Sequence, residues 1–112
     1  MFHRFVQHSG RVYLSTIVIG ELYTWAYSRA TDARLKLLEE LMSNAPLLAF
    51  ELDSAKEFGR IRAGLLSNGI TVRSPDLMIA AVALTYDLTL VTHNVRDFRN
   101  IPALRIEDWL AT

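Results

Sequence analysis

The chain has 112 residues, 51% of them hydrophobic and 21% charged, which suits a soluble globular protein and excludes a disordered one. Its formal net charge is zero, so no global field announces nucleic acid and any such contact must come from a local patch. There is no cysteine, hence no disulfide and no thiolate metal site. No apolar run approaches the roughly 20 residues of a membrane span, and Met1-Phe2-His3-Arg4 lacks the apolar region of a secretory signal. At this length one core buries roughly 60 to 70% of the unfolded surface. A single cytoplasmic domain over residues 1–112 is expected.

In chain order, Phe2, Phe5 and Val6 stand at helical spacing and read as the tail of a helix that Gly10 ends. Arg11 to Ser15 reads as a short strand, with Ser15 or Thr16 capping the next helix. That helix runs from Ile17 to about Arg29, with Val18, Leu22 and Trp25 at steps of four and three. A second runs from Asp32 to Ser43 and stops at Asn44. Leu47 to Leu52 forms a second strand, Asp53 or Ser54 caps a third helix, and Asn68-Gly69 closes it. Ser74-Pro75-Asp76 starts a fourth helix, with Ser74 as cap, Pro75 at the first helical position and Asp76 in the first turn. Everything from Leu77 to Leu84 is apolar, so this helix is buried on every face. Thr89 to Thr92 is a third strand, Asn94 to Asp97 a turn, and Leu104 to Glu107 a fourth strand. Strands alternating with helices give a three-layer α/β domain with a mainly parallel sheet.

Carboxylates carry the candidate chemistry. Glu21 lies three residues after Val18 and four before Trp25, on the inward stripe of its helix, where an uncompensated charge costs several kcal/mol. Asp76 opens the buried helix, and Asn94 with Asp97 follows a strand end. Each alone has a packing explanation: the edge of a stripe, the helix dipole, a turn. Together they share the rim beyond the carboxyl ends of parallel strands, where sites in such sheets form. Several carboxylates without cysteine or paired histidines make an oxygen-rich site suited to Mg²⁺ or Mn²⁺. Arg73 and Arg96 flank these residues, and His93 reads as a loop residue.

Four blocks in order, Ser15 to Leu22, Ser74 to Ala81, Leu90 to Phe98 and Ile106 to Trp109, resemble those of a PIN domain, specifically the VapC type of toxin ribonuclease. The resemblance implies a metal-dependent endoribonuclease in which Asp76 and Glu21 occupy acidic metal-site positions. Asp97 or Asn94 supplies the fourth position, and Thr92 hydrogen-bonds at the same strand end. It further implies Mg²⁺ or Mn²⁺ as cofactor, an RNA substrate such as tRNA, a cognate antitoxin protein and a homodimer. The family's first, central strand, ending in an Asp-Thr-Asn-like motif, has no counterpart before Arg11. The reading is therefore of a PIN-like domain truncated at its N-terminus, with weak or no activity as written. A non-catalytic PIN-like remnant that binds RNA or an antitoxin is the alternative. A nucleotide-binding domain is disfavoured because no glycine-rich phosphate loop is present.

Overall fold

A computed structural model describes residues 5–8, 11–29 and 32–108. The elements are β1 (Phe5–His8), β2 (Arg11–Ser15), α1 (Thr16–Ser28), α2 (Asp32–Asn44), β3 (Leu47–Leu48), α3 (Leu52–Ser67), α4 (Ser74–Thr85), β4 (Thr89–Val91), α5 (Val95–Phe98) and β5 (Ile106–Glu107). The strands form one sheet in the order β3-β2-β1-β4-β5.

β2 pairs parallel with β3, and β4 parallel with β5. β1 lies between the two pairs and runs antiparallel to both β2 and β4. It follows that β2, β3, β4 and β5 share one direction, as a mainly parallel sheet requires, and that β1 alone opposes them. This corrects the helix tail read over Phe5 and Val6, Phe2 lying outside the described residues, and it fills the central place that the sequence pattern leaves empty. The physical reason is non-local. Without β1, strands β2 and β4 would each present an open row of N–H and C=O groups, and two residues suffice to link β1 to β2 as a hairpin. Satisfying both edges outweighs the weak helical spacing of a few residues.

Val6 sits opposite Tyr13 on one side and Leu90 on the other. Proline there removes an N–H from an interior strand, whichever neighbour that N–H faces. Val6→Pro is expected to cost about 2 kcal/mol or more by leaving a ladder carbonyl unpaired, read as a lower urea midpoint. A shift below about 0.2 M would remove β1 from the centre of the sheet.

α4 forms the middle of the core: Leu77, Ile79, Ala80, Ala81, Val82 and Ala83 are all buried. Burying each of its larger apolar side chains contributes roughly 1.5–3 kcal/mol. Around them lie Val18, Leu22 and Ala26 of α1, Leu38 of α2, Ile61 and Leu65 of α3, Leu90 of β4 and Phe98 of α5. On α1 the buried stripe is thus Val18, Leu22 and Ala26, with Trp25 only half-buried. Arg34 lies 4.5 Å over the Trp25 ring and donates from Nη1 to the Trp25 carbonyl at 2.8 Å, which shields the indole from the outside.

Several boundaries differ from expectation, among them the last strand, which keeps only Ile106–Glu107 of the expected Leu104 to Glu107. β3 keeps only two residues, and α3 begins at Leu52 with Glu51 as its N-cap, so Asp53 falls in the first turn and Ser54 is buried inside the helix. α3 ends as read: Gly69 takes φ +71°, and the Ile70 N–H reaches back to the Leu65 carbonyl at 2.9 Å. Among the described residues no helix is long and apolar enough to cross a membrane.

Candidate active site

Because β2, β4 and β5 share a direction, their carboxyl ends at Ser15, Val91 and Glu107 gather along one edge of the sheet. α1 leaves that edge directly, with the buried Ser15 hydroxyl accepting the Val18 N–H at 3.3 Å. α4 returns to it alongside α1, with which it is in contact. Its last turn leads through Tyr86–Leu88 into β4, so its first turn lies back beside the end of that strand.

Asp76 is in this first turn and is 1% exposed. The positive end of the helix dipole favours a carboxylate there, but desolvating one this deeply opposes it by several kcal/mol. Ser74 is not the cap that the sequence suggests. Arg73 takes the N-cap position, and Ser74, the first helical residue, has its hydroxyl held by Arg62 Nη1 at 2.8 Å. Arg62 also lies 5.6 Å over the Phe58 ring, so α3 ties down the start of α4 next to Asp76.

Beyond β4, Thr92 is 1% exposed and its hydroxyl accepts the Asn94 N–H at 3.0 Å. This bond turns the chain outward, and the expected turn over Asn94 to Asp97 tightens into the single helical turn α5. Phe98 is wholly buried and anchors α5, leaving Asn94, Arg96 and Asp97 exposed on its outer side.

His93 Nδ1 lies 3.2 Å from Asp108 Oδ2. His93, Asn94, Val95, Arg96, Asp97 and Asp108 together line a depression of about 410 Å³. Sequence reasoning missed the pairing of Asp108 with His93. The signal was present in the strand pairing: with Val91 opposite Glu107 in a parallel ladder, the residues just past each strand end meet.

Glu21 requires a correction. It is exposed, because the buried stripe of α1 passes through Ala26 and leaves Glu21 at its edge. Among the described residues, no group of three His, Cys, Asp or Glu could hold a metal ion. All twelve acidic residues lie within the described segments. The donors therefore fit a hard divalent cation in kind, being carboxylate, amide and hydroxyl oxygens. In number they fall short of a complete protein-built site.

The PIN domain family model matches residues 2–104. The chain belongs to the PIN domain family. This PIN domain is 37% identical over 107 residues to the tRNA(fMet)-specific endonuclease VapC of Salmonella typhimurium, covering 95% of this chain and 81% of that one. It superposes on VapBC2 from Rickettsia felis, solved bound to a DNA fragment from its promoter, with a TM-score of 0.80 and 30% identity over 88% of this chain and 75% of that one. It also superposes on VapBC-5 from Mycobacterium tuberculosis, a member of the VapBC family of toxin-antitoxin systems, with a TM-score of 0.71 and 30% identity over 86% of this chain and 79% of that one.

Proposed function

We propose that this PIN domain is a toxin endoribonuclease that hydrolyses RNA phosphodiester bonds with the help of Mg²⁺ or Mn²⁺. The observation that carries the reading is Asp76, a carboxylate 1% exposed at the tip of a buried helix, on the sheet edge it shares with Asn94 and Asp97 in a chain of this family. Asp76, Asp97 with Asn94, and Glu21 are the oxygen donors proposed for a divalent ion, although no three His, Cys, Asp or Glu among the described residues stand as a group that could hold one. Such an ion supplies positive charge against the phosphate oxygens during in-line displacement.

The remaining work belongs to the chain itself. Arg73 at the N-cap of α4 and Arg96 in the depression are exposed cations available to RNA phosphates. Thr92 fixes the Asn94 backbone, so the outer side of α5 is presented in one orientation. A phosphate contact carries a salt signature. Arg96→Gln is expected to weaken RNA binding and to lower the log–log salt slope by about 0.7 for each phosphate it no longer neutralises. An unchanged slope in a filter-binding titration would remove Arg96 from the RNA path.

The similarity to a tRNA(fMet)-specific endonuclease makes initiator tRNA the first substrate to try. Cleavage of that tRNA in Mg²⁺ or Mn²⁺, and its loss in EDTA, tests the reading. The acidic set that stops short of a metal trio favours a second reading, a PIN-like protein that binds RNA or an antitoxin without cutting. RNA binding without cleavage in any divalent ion would select it. Under either reading the protein acts in the cytoplasm, and its partner is an antitoxin. Tyr27, 65% exposed and 5.6 Å from the half-buried Tyr23, offers that partner an aromatic surface on α1; a second copy of the chain is the other expected partner.

A further inference from the structure

Resting on the ribonuclease reading, we infer that Arg62 is a positioning residue for Asp76: it fixes the rotation of α4 about its own axis, and so the direction in which that carboxylate leaves the helix. The first ground is what α4 lacks. Its N-cap is Arg73, which makes no side-chain cap bond. Burial gives the helix little rotational preference either. An apolar stripe orients a helix by turning one face inward. In α4, residues 79–83 are buried without a break, which at 3.6 residues per turn covers every side, and three of the five are alanines. Turning such a helix exchanges one apolar surface for another, so its rotation depends on packing detail and on specific polar contacts.

The second ground is what holds the start of α4. Arg62 Nη1 donates to the Ser74 hydroxyl at 2.8 Å, two residues before Asp76 in the same turn. The guanidinium lies 5.6 Å over the Phe58 ring, which in turn meets Phe50 edge-on at 6.1 Å, so the donor is itself held in one place. Arg62 and Ser74 are both half-buried. By contrast Arg60, two residues earlier on α3, is exposed and pairs with Glu57 of its own helix. Side chains end about 5–6 Å from a helix axis, so a rotation of about 10° carries a carboxylate about 1 Å. A misplacement of that size at a reacting centre costs on the order of 100-fold in rate. The bond from Arg62 to Ser74 matters for direction rather than for strength.

The experiment uses the full chain and initiator tRNA, and reads kcat and KM per folded molecule, the salt slope of RNA binding, and a urea melt that gives the folded fraction. Arg62→Met and Ser74→Ala are each expected to lower kcat by about 10-fold or more, within the range a 1 Å misplacement allows, with KM and salt slope unchanged. The double variant should fall no further than Arg62→Met alone, because both changes remove one bond. Arg62→Lys, which keeps a donor within reach of Ser74, should recover part of the loss, and Arg60→Met, which removes a charge from the same helix, should match the parent. Should Arg62→Met not fold, Ser74→Ala and Arg62→Lys carry the test. A raised KM with a salt slope lower by about 0.7 would make Arg62 a phosphate contact and overturn the inference. An unchanged kcat, or two losses that multiply in the double variant, overturns it as well. In each of these cases cleavage by the parent leaves the ribonuclease reading standing; no cleavage by the parent overturns the two together.

Discussion

Asp76→Asn is expected to lower RNA cleavage by about 100-fold or more while the domain stays folded. The substitution keeps the shape of the side chain and removes its charge, so the change falls on what that charge does in the reaction. Charge stabilisation at a phosphoryl centre amounts to several kcal/mol, and each 1.36 kcal/mol is about a factor of ten in rate. Losing an acid from a helix's first turn costs about 0.3–1 kcal/mol, and relief of the desolvation borne by a residue 1% exposed works in the opposite direction. The measurement is initial cleavage rate on initiator tRNA beside a thermal melt. Equal rates for the variant and the parent would sink the assignment of Asp76, and a collapsed melt would show that its role is in folding.

Phe98→Ala is expected to be strongly destabilising. Phe98 is 0% exposed, belongs to the central core cluster, and is the buried residue of α5. Removing a ring from such a place costs about 3–5 kcal/mol, a large share of the roughly 5–15 kcal/mol that holds a typical domain together. For a chain of this size the melting temperature should fall by about 15 °C or more. The functional consequence is separate. α5 carries Asn94, Arg96 and Asp97 on its outer side and has Phe98 as its anchor, so RNA affinity should drop even at temperatures where the variant remains folded. Phe98→Leu, which keeps most of the volume, should recover most of both losses. If the alanine variant melts within about 2 °C of the parent, α5 is not anchored to the core through this ring.

The sequence is most readable where one local rule and one global demand agree. Ser74-Pro75-Asp76 followed by an unbroken apolar run specifies α4, because both the helix start and the need for burial act on the same residues. Gly69 marks the end of α3 for an equally local reason, the positive φ required there. Where the deciding interaction lies far away, local pattern misleads. β1 pairs with its neighbour β2 on one side, but its central place depends on β4, more than eighty positions further on, and nothing within residues 1–10 announces that partner. Glu21 reads as inward only while Trp25 counts as core, whereas Arg34 covers the indole and the buried stripe turns toward Ala26. At the site, Asp76, Asn94, Asp97 and the flanking arginines are legible from position relative to strand ends. Asp108 is not, since its pairing with His93 depends on the register of β5 against β4.

The antiparallel central strand has a consequence for how the chain is made. β1 and β2 leave the ribosome early and can close as a hairpin in about 1–10 μs. The other edge of β1 must wait for β4, roughly 80 residues later, which at about 5–20 residues per second is on the order of 4–16 s. Throughout that interval the middle of the future sheet is an open edge, able to pair with whatever strand reaches it first. The β1–β4 pairing therefore also brings the Asn94–Asp97 segment to the rim, with only the β4–β5 pairing left to follow, and the nascent chain acquires its candidate site as its sheet closes.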